Sequence, residues 1–132
     1  MDKIVVHGDE GRIVKGHSSD FSPHRPYFHL VTLQRPFDSS KIWLGNQKAV
    51  FFVKDFSGNP SHIDLHDWNR APDSGKHVVV NFKDGERLFG TAESVSRDHT
   101  GFFLLPVDPY SNTIKAYVIN SFISSVELVE DD

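Results

Sequence analysis

The chain writes much of itself twice. Shifting the sequence by 74 positions lays Val5 and Val6 on Val79 and Val80, Gly11 and Gly16 on Gly85 and Gly90, and Ser22 on Ser96. Phe28 then falls on Phe102, Leu30 on Leu104, Lys41 on Lys115 and Asn46 on Asn120, all without a gap. A slip of two brings Val50, Val53 and Asp55 onto Val126, Val129 and Asp131. A match that keeps both glycines and the apolar spacing reads as an internal duplication. Residues 1–54 form the first repeat, 55–75 a linker and 76–132 the second repeat.

Each repeat reads as five short strands. In the second, VVVNF is β-branched and aromatic, and KDGE after it is a turn signal. RLFGTAESV resumes the extended pattern around Gly90, where a glycine within a strand marks a bend. TGFFLLPVD, KAYVI and SSVELV supply the other three, and KIVVHG, RIVKGH, YFHLVTL, KIWLG and AVFFVKD are their counterparts in the first repeat. No helical periodicity runs over three turns. The pattern predicts an all-β protein: two tandem five-stranded antiparallel barrels, each strongly bent. The linker is rich in Gly, Pro, Asn, Asp and Ser, with Leu65 and Trp68 placed to pin it to a core.

Composition narrows the function. Eleven phenylalanines in 132 residues provide a core, and the absence of cysteine excludes disulfides, thiol catalysis and Cys-ligated zinc. With no run near ~20 apolar residues, neither a signal peptide nor a membrane span is predicted, so a cytoplasmic location is expected. There is no GxSxG, P-loop, GxGxxG or HExxH pattern, so no enzymatic activity and no cofactor are expected. His62, Asp64 and His66 alternate in the linker and would share one face of a strand, making them the candidate metal ligands; as a solvated loop they bind nothing.

Charge is uneven. The first repeat holds eight Lys/Arg against five Asp/Glu, and the second five against nine, so only the first suits a polyanion. Its segment HSSDFSPHRPYFH gathers His17, Phe21, His24, Arg25, Tyr27 and His29 as candidate ligand-binding residues, since rings interleaved with a cation suit unstacked bases. The alternative reading makes the phenylalanines core and the histidines a polar loop.

VVVNFKDGERLFGTAESV resembles the first motif of Sm-like proteins, and IWLGNQKAVFFV resembles the second. That resemblance implies a five-stranded bent fold, assembly of one unit's fifth strand on the next unit's fourth, and RNA binding by two loops. The second of those loops ordinarily presents Arg-Gly; here Leu44 precedes Gly45, and the second repeat has Ile119-Asn120-Ser121. The first loop ordinarily carries an Asp, an aromatic residue and an Asn, against FSPHRPYF and SRDHTGFF here. KAVFFVKDFSGNP and GFFLLPVDPYSN also resemble a family of uncharacterised bacterial proteins. The PilZ barrel fits less well: its arginine pair is absent, and Pro60 stands where the glycine following Asp55-Phe56-Ser57 belongs. The expected function is therefore an interaction module whose exposed sheet edges take a protein partner or a second copy, with single-stranded RNA as the alternative ligand. Each repeat is too small to bury its apolar residues alone, so the repeats should pack together, with Trp43 or Phe51 near the joint and Tyr117 and Phe122 in the matching places.

Overall fold

The computed structural model describes residues 1–58, 61, 67–71 and 75–129. Ten strands follow the sequence runs: β1 Asp2–Gly8, β2 Ile13–Ser18, β3 Tyr27–Thr32, β4 Ser39–Trp43 and β5 Gln47–Val53, then β6 Lys76–Phe82, β7 Arg87–Ala92, β8 Gly101–Pro106, β9 Thr113–Ile119 and β10 Ile123–Leu128. The β6–β7 turn uses Gly85 at φ +93, and the β1–β2 turn uses Glu10 and Gly11 at φ 56 and 77. Four short 3-10 turns are the helical elements among the described residues, and none is long and apolar enough to cross a membrane. One of them, Trp68–Arg70, is capped by the Asp67 carboxylate; Trp68 stacks on His77 at 4.9 Å and so pins this part of the linker to β6. Leu65 lies outside the described residues.

All ten strands join one antiparallel sheet, in the order β10-β6-β7-β8-β9-β5-β1-β2-β3-β4. Within each half the order is the same: fifth, first, second, third, fourth. Two separate barrels are expected from the sequence, but the sheet does not close. Rather than pairing with β4 of its own half, β5 gives its free edge to β9, with Val50 opposite Tyr117 and Phe51 opposite Ala116. The apolar alternation explains why. Strand β5 is buried on both faces, which only a central strand can be, whereas β10 is mostly exposed. Each half's core borrows across the joint: Ala49 and Phe51 enter the second-half cluster, while Tyr117, Ile119 and Phe103 enter the first.

The ladders move one feature of the repeat. Lys41 lies opposite His29, but it is Tyr117, not Lys115, that lies opposite Phe103, the counterpart of His29. The two-residue slip thus falls before the fourth strand and not after Asn46, so Lys41 corresponds to Tyr117 and Trp43 to Ile119. A shift of two keeps every side chain on its face, so the apolar pattern cannot detect it.

Gly16 and Gly90 sit where the second strand of each half passes close against the third. A Cβ on Gly16 would strike the Val31 carbonyl oxygen and lie 2.9 Å from Leu30 Cγ; one on Gly90 would strike the Leu105 carbonyl oxygen and lie 2.6 Å from Leu104 Cγ. The obstacle is the adjacent strand's backbone, which cannot rotate away. Gly90→Ala should therefore destabilise the fold by about 1–3 kcal/mol through overpacking, while Gly45→Ala, with nothing within 4 Å, should be close to neutral. Urea unfolding of the two variants checks this; equal midpoints would remove the close-approach account.

Candidate functional site

The joint is held by more than its ladder. Lys48, on β5, has a side chain only 8% exposed, and its ammonium meets Asp84 at 2.7 Å and Glu86 at 2.6 Å in the β6–β7 turn. The same ammonium lies 4.9 Å from the Phe82 ring centre. Burial works against the charged lysine, but the hydrogen bonds to Asp84 and Glu86 outweigh it and lift its pKa above 10.5. The Lys48 hydrogen bond, aided by the Glu86 backbone N–H, holds Asp84 below 3.8. His7, packed on Phe51 at 4.6 Å, is pushed below 6.5 by burial. At the other end of the joint, Lys54 N–H donates to Asn112 O, and the Asn112 side chain bonds both backbone groups of Asp55.

The first-repeat residues singled out for ligand binding point to different places. Phe21 turns inward, into an aromatic cluster with Phe28 at 5.2 Å, Phe52 at 5.1 Å and, from the second half, Tyr117 at 5.5 Å and Phe103 at 6.1 Å. His17 packs edge-on against Phe56. His29 is held by Asp20, which accepts from its ring at 2.8 Å and its backbone N–H at 2.9 Å. Burial would raise the Asp20 pKa, but the His29 hydrogen bonds keep it below 3.8. His24 and Arg25 are exposed. Tyr27 leans on Trp43 at 5.0 Å, across the β3–β4 ladder.

The four residues expected at the interface also separate. Phe51 and Tyr117 lie on the paired strands of the joint, and Phe122 packs against the second-half core beside it. Trp43 is on β4, the outermost strand, 47% exposed. Two features of the site depend on partners distant in the sequence. One is Lys48, which sits in QKAVFFV like a surface lysine. The other is Phe21, whose partners are about 80 and 95 residues further along the chain.

The free edges are polar. Strand β4 presents Ser39, Ser40 and Lys41, all exposed, and β10 presents Ser124, Ser125 and Glu127. Beside β4, Lys41 lies over the Tyr27 ring at 4.4 Å and the Trp43 ring at 5.4 Å. A hollow of about 310 Å³ opens there, lined by Val6, Val14 and Ile42 together with Arg12 and Lys41. Among the described residues no group of three His, Cys, Asp or Glu is placed to hold a metal ion; His62, Asp64 and His66 lie outside them.

The clamp gives stability a defined pH dependence. A depressed carboxylate such as Asp84 contributes above its unfolded value of 3.8 and loses that contribution as pH falls through its folded value. Depressed His7 favours the unfolded chain once protonated, so its contribution is full above 6.5 and is lost on acidification. Lys48, raised, contributes below 10.5 and loses its contribution as pH rises through its folded value. Urea midpoints should be flat between these limits and fall in two acid steps. Lys48→Met should cost about 1–2 kcal/mol at neutral pH and shrink the lower acid step to the part carried by carboxylates such as Asp20, because Asp84 and Glu86 are themselves half exposed and rejoin water. A variant whose pH profile parallels the wild type would contradict the clamp.

No curated protein and no solved structure matches the chain. One family does, and it matches nearly the whole of both repeats and the linker, residues 1–130. The chain accordingly belongs to DUF6982, a family of unknown function.

Proposed function

We propose that this protein is a non-enzymatic interaction module, built of two Sm-like units in tandem, that takes an extended strand of a partner protein onto β4. The repeated strand order, the Asp-Gly turn and the bent second strand support the Sm-like reading. One observation carries the functional one: the chain already performs this docking on itself. Strand β5 lies on the fourth strand of the second half and seats Lys48 on the turn that holds Asp84 and Glu86. Strand β4 is the fourth strand of the first half and, among the described residues, has no strand on its outer side.

The repeat also indicates the partner's character. The residue corresponding to Glu86 is Arg12, and the one corresponding to Asp84 is Glu10. Arg12 and Lys41 both line the hollow beside β4. A strand docked like β5 therefore carries an acidic residue where β5 carries Lys48. The chain's own β10 is poorly suited: Ser124 corresponds to Lys48, and Glu127 to Phe51. A different protein fits better than a second copy. Trp43, packed at a tilt against Tyr27 on the edge, is the type of residue that anchors such contacts.

The outward direction of β4 is set by its ladder. Leu44 N–H donates to Pro26 O, so by alternation the N–H groups of Lys41 and Trp43 face the free side. Display selection of random extended peptides on the full chain should enrich sequences with one acidic residue flanked by alternating apolar ones. Lys41→Pro removes an outward donor and should weaken their binding about tenfold more than Lys41→Gln, and Arg12→Glu should reverse the charge preference. Peptides indifferent to both changes would refute docking at β4. Salt-sensitive binding of a single-stranded RNA oligonucleotide that is lost in Arg25→Ala and Tyr27→Ala would establish the RNA reading in its place.

A further inference from the structure

We propose that a cavity at the joint binds a small organic anion with an aromatic body, at a site separate from the β4 edge. The cavity measures about 630 Å³, within the ~300–1,000 Å³ usual for small-molecule sites. Its walls come from both halves. Pro23 and His24 of the first repeat face β8, β9 and the β7–β8 connection of the second.

The duplication shows how the space arose. Three lining positions carry a large or engaged side chain in the first half and a small one in the second. His17, packed on Phe56, corresponds to Thr91. Asp20, tied to His29, corresponds to Ser94. Tyr27, leaning on Trp43, corresponds to Gly101. The backbone plan is shared, so the cavity comes from these side-chain reductions and not from a different loop fold. Where the first half closes its surface with an Asp–His pair and a tilted Tyr–Trp contact, the second half leaves an opening.

The lining chemistry selects the ligand. Phe103, Leu105 and Tyr117 give a wall suited to a flat ring. Lys115 is the one Lys or Arg among the lining residues. Its ammonium lies over the Phe52 ring at 4.7 Å and the Phe103 ring at 5.0 Å, and meets no carboxylate among the described residues. A cation resting on ring faces beside a hollow is positioned to take a carboxylate or phosphate. Thr91 Oγ1, on a residue 1% exposed, has no hydrogen-bond partner among the described residues and also lines the cavity. A buried hydroxyl without a partner is uncommon; this one is closed to solvent, so a ligand atom reaches it only if the cavity wall gives. Glu93 and His99 also line the cavity and are exposed to water, which screens the Glu93 carboxylate.

The test uses the full chain with two probes, indole-3-acetate for the carboxylate source and AMP for the phosphate source, and indole and adenosine as their neutral counterparts. Calorimetry should show saturable one-site binding of at least one anion, with its neutral counterpart about tenfold weaker or more. Backbone amide shifts should concentrate in residues 91–105 and 115–117. Binding should also raise the melting temperature, because the site exists only when the halves are joined. Lys115→Met, which keeps the stem and removes the charge, should weaken binding about tenfold. Ser94→Phe, on the exposed rim, should block the cavity without touching the core, and so decides the matter if Lys115→Met fails to fold. No saturable binding of either anion at millimolar concentration would overturn the proposal. So would shifts centred elsewhere, or binding unchanged in both variants.

Discussion

The pairing of β5 with β9 is the constraint from which the rest of the structure follows. A five-stranded unit of some 55 residues buries too small a share of its surface to be stable by a comfortable margin. Here each unit completes its core with its neighbour's residues, Ala49 and Phe51 in one direction and Tyr117, Ile119 and Phe103 in the other. The joint becomes the middle of the sheet, and β5 becomes a strand buried on both faces. That burial explains why Lys48 can be enclosed. Its charge is offset by two carboxylates that remain about half exposed, so mainly one side of the pair is desolvated. The ion pair adds register to the joint as well as attraction, because a strand shifted by two residues would place Lys48 away from Asp84.

The two halves show what duplication preserves and what it releases. The close approach of the second and third strands is preserved, so glycine remains at both 16 and 90. The face presented by the third and fourth strands has diverged. In the first half it carries Tyr27, His29, Lys41 and Trp43, which pack on one another at the outer edge. In the second half the matching face carries Gly101, Phe103, Tyr117 and Ile119, and it is covered by Phe21 from the first half. The position decides the chemistry. A face at the end of the sheet must tolerate water, while one at the joint must be apolar enough to pack.

Much of the architecture was legible in the sequence. The repeat, the strand count and the Asp-Gly turn were marked by local signals, since turns and apolar runs are properties of adjacent residues. The joint was legible in outline from AVFFV, too apolar for an edge. What escaped notice depended on residues distant in sequence. Lys48 looks like any surface lysine until Asp84 is placed beside it. Phe21 suits either a core or a ligand-binding position in its segment, and its partners Phe103 and Tyr117 are what place it inward. The slip before the fourth strand is invisible to a period-two pattern. The cavity could be recognised only after the ladders fixed which residues correspond, because it is defined by three differences between the halves.

A tandem unit that docks a strand on itself also faces a hazard. The same geometry repeated at the outer edges would polymerise the chain, each β10 adding to the next β4 without closure. The edge composition opposes this. Strand β4 offers Ser39, Ser40 and Lys41, where its counterpart β9 offers Lys115, Ala116 and Tyr117. Strand β10 offers Ser125 and Glu127, where β5 offers Ala49 and Phe51. The apolar half of the self-docking code has been erased on both outer strands, and the charged half has been changed on both: Ser124 replaces the donor lysine and Arg12 the accepting Glu86. What remains on β4 is a backbone edge, an exposed Trp and a cationic hollow, which discriminate by charge and not by hydrophobicity alone. On the proposed function, a surface built this way would reject its own other end while keeping the geometry of strand addition.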